Sequence, residues 1–425
     1  SGVFWVGRGG GGVPRGEAGQ SGGMTETSHD APDPSSTAGL EPSAVHDWDP
    51  RAPHVLADQI AAYDELRERC PVAHSEYLGW SVLRHDDVLT VLHDHETFSN
   101  AVSTRLTVPN GMDPPEHTAF RRLNDKYFTP ERMAAFEPRC RQIAQGLLAQ
   151  LPDDGEVELM DAVARTYALR VQSAFLGWPV ELEEPLRAWV RKNHAATLAR
   201  DRAAMAAIAV EFDGYIRALL DERRALGPHA PHDITTELLG EQVLGRPVRD
   251  EELVSLLRNW TVGELSTIAA SVGIVAEYLA THPEVQEQLR ADGDLVGPAV
   301  DEILRIHAPL VANRRVTTRP GTLRGRELEQ GDRVTVLWAA ANRDPEVFGD
   351  PDELRLDRDP GLNLLYGAGI HYCPGAPLAR LELRLVTTEL LGSFRLAPVS
   401  DGPTPVRAIY PASGFSSLPL HLERI

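Results

Sequence analysis

Between Asp250 and Thr281 the chain carries about thirty residues of unbroken helical periodicity, with apolar side chains at Leu253, Leu256, Leu257, Ile268, Val272, Val275 and Leu279. At about 1.5 Å per residue such a helix is a rod of roughly 45 Å. A rod of that length crosses an entire domain, so everything else must pack around it. Asp250 is placed to cap its start. His282-Pro283 ends it, because proline has no N–H to continue the hydrogen-bond ladder.

Helical periodicity also dominates from about residue 115 to 305, as at Phe136, Ile143, Leu147 and Leu151. Strand-like runs are short and few: Trp80 to Leu83, Arg333 to Leu337 and Ser417 to Leu422. The expected fold class is therefore mainly α with small β regions. Residues 1–23 are Gly-rich and precede Met24, which can be a natural start, and 25–45 are rich in Ser, Pro and Asp. Residues 1–45 read as a disordered extension, and 46–425 as a single globular domain beginning near Asp47-Trp48-Asp49-Pro50. No internal repeat is visible.

A net charge of −20 argues against nucleic acid or an anionic membrane as partner, since the overall field repels both. Cys70, Cys140 and Cys373 lie far apart without CxxC spacing, so neither a zinc site nor a disulfide framework is indicated and a reducing cytoplasm fits. No stretch of about 18 wholly apolar residues is found, nor the charged-then-apolar layout of a signal peptide. A soluble, cytoplasmic protein is expected.

Cys373 lies in Tyr366-Gly367-Ala368-Gly369-Ile370-His371-Tyr372-Cys373-Pro374-Gly375, followed at once by an amphipathic helix through Leu378, Leu381 and Leu385. The glycines permit a tight loop whose amides, with the positive end of the helix, can stabilise a thiolate. Here the chain resembles the cytochrome P450 superfamily, whose haem loop reads aromatic-Gly-x-Gly-x-His-x-Cys-x-Gly, with Tyr366 in place of the usual Phe. The resemblance implies a triangular helical prism around a buried haem b, with Cys373 as the iron ligand. It assigns Tyr366 and Gly367 to the haem loop.

Further motifs follow in the family's order. Glu302-Ile303-Leu304-Arg305 matches Glu-x-x-Arg, and Asn342 to Phe348 with Pro351 resembles the meander before the cysteine loop, in which Arg343 or Arg358 would complete the Glu-Arg network. His117 and Arg121 match His-x-x-x-Arg. With Arg315 and His371 they give four donors for two haem propionates, which need cationic partners once buried.

Thr261-Val262-Gly263-Glu264-Leu265-Ser266-Thr267 corresponds to the family's Ala/Gly-Gly-x-acid-Thr, and departs from it. Thr267 stands at the alcohol position, Ser266 replaces the acid and Glu264 the second glycine. A register shifted by one would make Ser266 the alcohol. In either register the carboxylate is missing. Gly263 would open the groove for dioxygen and Thr267 would hand protons into it. Ser266 with water, or Glu264 one turn before Thr267, can substitute for the acid; alternatively Glu264 points to solvent. Pro374, having no N–H, cannot donate to the sulfur, which implies a more electron-rich thiolate.

By family position the substrate would meet Asn259, Val262, Val311, Asn313, Phe415 and the loop from Ala101 to Met112. That mostly apolar lining suits a small or medium hydrophobic, even aromatic, molecule. The implied reaction is monooxygenation, hydroxylation or dealkylation, with electrons from a ferredoxin and its reductase or from a reductase domain absent from this chain. Residues 262–269 mildly resemble the bacterial members fused to a reductase. Arg122, Lys126 and Arg132 form either a basic docking patch for that donor or ordinary helix solvation. Two alternatives are a peroxide-driven enzyme, consistent with the missing acid, and a non-catalytic haem gas sensor.

Overall fold

The computed structural model describes residues 47–425 apart from Arg200 and Pro411, and omits the Leu198 side chain. The extension expected over 1–45 lies outside these residues. The long helix spans Asp250–Thr281 and stops at His282, before Pro283. Its cap differs from expectation. Arg249 is the N-cap, and the Glu252 carboxylate accepts the Arg249 N–H at 2.8 Å, while Asp250 is the first helical residue and pairs with Arg224. Burial alone would raise the Glu252 pKa. The Arg246 and Arg249 guanidinium groups and that N–H instead pull it down to about 2.

This central helix is buried along most of its length, and packed around it are Arg165–Leu176, Arg202–Leu226, Val296–His307 and Ala376–Ser393. By length and composition it could cross a membrane, contrary to the expectation that no segment could. However, 72% of its most apolar window is covered by protein, as befits a core helix.

The main sheet runs in the order Val72–Ser75, Gly79–Val82, Arg333–Leu337, Ala312–Thr317, Phe98–Ser99, all pairs antiparallel except Gly79–Val82 with Arg333–Leu337. A second sheet joins Phe394–Pro398, Pro419–Arg424 and Asp154–Glu158. Mainly α with small β regions is thus what folds. The cysteine loop leads into Ala376–Ser393, which packs on the central helix, so the two halves of the site are set by one helix–helix contact.

Candidate active site

The cysteine loop is closed by its own backbone: the Cys373 N–H donates to the Tyr366 carbonyl at 2.8 Å. Gly369 has φ +67°, and a Cβ there would stand 2.5 Å from the Leu92 carbonyl oxygen, so the loop lies against the end of helix His85–His93 in a way only glycine permits. The Gly375 amide faces the Cys373 sulfur, and Pro374 supplies no such donor. Burial pushes the Cys373 thiol pKa up while the Gly375 N–H works against that rise. A metal cation would be the group that turns this buried thiol into a thiolate.

Its sulfur lines a cavity of about 1130 Å³ that separates the loop from the central helix. Gly263, Glu264 and Thr267 form the opposite wall. A Cβ at Gly263 would meet nothing within 4 Å, so its absence leaves open space there. Thr267 faces the cavity. Ser266 does not: it is exposed, and its hydroxyl donates to the Val262 carbonyl at 3.3 Å. Thr267, and not Ser266, is therefore the hydroxyl on the cavity wall. Glu264 does not point to outside solvent; its remaining accessible surface belongs to the cavity wall.

Around the loop, Arg315, His117 and His371 make no ion pair among the described residues. Arg315 is 5% exposed, donates only to the Arg314 carbonyl at 2.8 Å, and is pushed down to about 10 by burial. The His117 and His371 rings lie 4.3 Å apart, with His117 Nδ1 and His371 Nε2 buried and unpaired. Burial first, then His117, Arg315 and Arg121, push His371 down to about 2. A buried cluster of donors without a carboxylate is what an anionic ligand would satisfy. Iron protoporphyrin IX would fit it: Cys373 would hold the metal, and Arg315 and His371 on the cavity wall, with His117 beside His371, would serve the propionates. Arg121 is placed differently. Its guanidinium clasps the Tyr372 and Ile370 carbonyls and Asp125, so it holds the loop and does not line the cavity. Tyr366 and Gly367 line the cavity beside Trp338.

Behind the loop, Arg305 grips Glu302 through two bonds of 2.8 and 2.9 Å, and Arg358 adds a third at 2.8 Å. Arg358 thus completes the network. Arg343 pairs with Asp64 and Asp352 instead.

Three expected lining residues are elsewhere. Val262 packs in the main core, and Val311 is buried with Leu337, Ala339 and Ala340. Phe415 lies under the Arg407 guanidinium, and none of the three reaches the cavity. Asn259, Asn313 and much of the loop, residues 101–105 with Thr107, Asn110 and Gly111, do reach it, Asn259 with its amide tied to the Val108 carbonyl at 2.9 Å. The wall is more polar than the sequence implied, because Arg105, Arg202, Arg258, Arg314 and Arg333 also line it. Of the presumed basic patch, Lys126 pairs with Glu241 at 2.7 Å and Arg132 with Glu237 at 2.6 Å, leaving Arg122. Sequence reasoning also missed Glu382, a buried carboxyl in contact with Glu264; an isolated helical Glu carries no signal that sets it apart.

A family model described as Cytochrome P450 matches residues 182–421. Among curated proteins the chain is 30% identical to the putative cytochrome P450 YjiB of Bacillus subtilis, covering 83% of this chain and 92% of that protein. It is 31% identical to the erythromycin C-12 hydroxylase of Saccharopolyspora erythraea, over 80% and 88%. Among solved structures, the open form of cytochrome P450 EryK from S. erythraea superposes with a TM-score of 0.79 at 28% identity, over 86% of this chain and 97% of that one.

Proposed function

This chain belongs to the cytochrome P450 family and is a haem-dependent monooxygenase, and we propose that it oxidises a small or medium-sized hydrophobic organic substrate by hydroxylation or oxidative dealkylation. The observation that carries this reading is the placement of Gly263 and Thr267 across one cavity from the Cys373 sulfur. When bound, the haem supplies the chemistry of dioxygen reduction and C–H oxidation.

The chain's own residues do the rest. Cys373 holds the metal as a thiolate, and the loop fixed by Gly369 and Arg121 keeps that sulfur in place. Gly263 leaves room on the distal wall, and the Thr267 hydroxyl receives and passes protons there. Arg315 and His371 orient the porphyrin edge by charge and hydrogen bonding. Asn259 and Asn313 orient the substrate.

P450 enzymes take electrons from a redox partner. For this chain a ferredoxin with its reductase, or a reductase domain, fits, and so does a cytoplasmic setting. Because Lys126 and Arg132 are already paired, docking by the 122–132 segment would rest on Arg122 together with shape. The test is a reduced, carbon monoxide-treated spectrum of the holoprotein, followed by turnover with a surrogate ferredoxin and reductase. A red-shifted Soret band and product formation with reductant and oxygen are expected. A band of imidazole type would overturn the ligand assignment. Turnover with peroxide alone would select the peroxide-driven reading.

A further inference from the structure

Two carboxyl groups meet inside the protein where no cationic side chain among the described residues reaches them. Glu264, on the central helix, lines the cavity one turn before Thr267. Glu382, on Ala376–Ser393 behind the cysteine loop, is 0% exposed. The two side chains interact directly, and both Glu382 oxygens and Glu264 Oε1 are buried with no hydrogen-bond donor among the described residues. The other titratable groups facing them are Cys140 of Pro130–Leu148, Tyr167 of Arg165–Leu176 and Cys373, and none supplies a positive charge. Tyr167 Oη donates to the Glu382 backbone carbonyl at 2.9 Å and lies 3.1 Å from Cys140 Sγ, so its proton does not serve the carboxyls.

Two carboxylates cannot stay in contact in such a place without a proton between them. Burial raises both pKa values, Glu382 well above the usual range, while the hydrogen bond from Glu382 limits the rise at Glu264. The asymmetry gives the two groups different roles. Glu382, cut off from water, keeps its proton; Glu264, on the cavity wall, can exchange its own.

We propose that Glu264 is the group that gives and takes protons in the cavity, in place of the acid absent from position 266, with Glu382 as a protonated hydrogen-bond donor that tunes it. This rests on the monooxygenase reading above. In each delivery the Glu264 O–H bond breaks, and cavity water or the Thr267 hydroxyl accepts the proton. The carboxylate left behind is stabilised by the Glu382 O–H, and cavity water then returns a proton to Glu264. No electrons move in these steps.

Infrared spectra of the holoprotein in H₂O and D₂O test the pair directly, because a protonated carboxyl has a carbonyl band that shifts on deuteration. Wild type should keep one such band to the higher pH, lost in E382Q, and show a second that titrates above the ordinary carboxyl range but before the first, lost in E264Q. In E382L the second band should titrate at higher pH, and in E382Q, which retains an N–H donor, it should move back toward wild type. Oxygen consumption with a surrogate ferredoxin and reductase should fall about 100-fold in E264Q, and less in E382Q than in E382L. No protonated-carboxyl band in wild type, bands unmoved by these substitutions, or unchanged oxygen consumption in E264Q would overturn the proposal. The infrared titration reads the carboxyls alone. A carbon monoxide spectrum of the wrong type in the same sample would count against the monooxygenase reading and not against the pair.

Discussion

Arg358 sets its Nε 2.8 Å from Glu302 Oε1, reaching back 56 residues to a carboxylate that Arg305 already holds in a two-pronged grip. One buried carboxylate therefore holds two guanidinium groups. Removing it strands both, so Glu302→Ala should destabilise the holoprotein by about 3–5 kcal/mol. Arg358→Leu leaves the Glu302–Arg305 pair intact and should cost less, about 1–2 kcal/mol. Urea unfolding midpoints of the two variants should keep that order.

The Gly375 amide faces the Cys373 sulfur, and residue 374, being proline, presents none. Pro374→Leu restores an N–H at the position next to the ligand. A hydrogen bond worth about 1 kcal/mol corresponds to about 40 mV for one electron. The haem potential should rise by about that amount in a spectroelectrochemical titration.

Two glycines should respond to enlargement in opposite ways. At Gly369 a Cβ meets the Leu92 carbonyl at 2.5 Å with φ +67°, so Gly369→Ala should cost roughly 1–3 kcal/mol and loosen haem retention. At Gly263 a Cβ meets nothing, so Gly263→Val should fold normally and lose carbon monoxide and substrate affinity. Thermal unfolding and ligand titration separate the two effects.

Burial, followed by Arg407 and Arg343, pushes His307 down to about 4. The unfolded chain protonates this ring near pH 6.5 and the folded one near 4, so the unfolded state binds more protons in between. Stability should be intact above about pH 6.5 and fall by about 1–3 kcal/mol on acidification to pH 4. In His307→Gln the profile over that window should flatten.

What the sequence disclosed was the part encoded locally. The loop around Cys373 and the Thr267 position are short motifs, and the central helix is a single periodic run, so their neighbours along the chain suffice to define them. Choices that depend on distant partners were not legible. Arg343 and Arg358 look alike in sequence, and only the packed meander assigns one to Asp64 and the other to Glu302. Val262 and Glu264 are two residues apart, yet one turns into the core and the other onto the cavity wall, since a helix rotates about 100° per residue. Asp250 lost the capping role because Glu252, two residues on, collects three donors at once.

The parallel pairing of Gly79–Val82 with Arg333–Leu337 has a consequence for biosynthesis. At about 5–20 residues per second, a ribosome needs roughly 13–50 s to travel from the first strand to its mate. Throughout that interval the hairpin 72–82 carries an open edge, a hazard for association with other nascent chains. Residues 366–375 emerge later still, so the metal centre can be assembled only after both of these strands have left the ribosome.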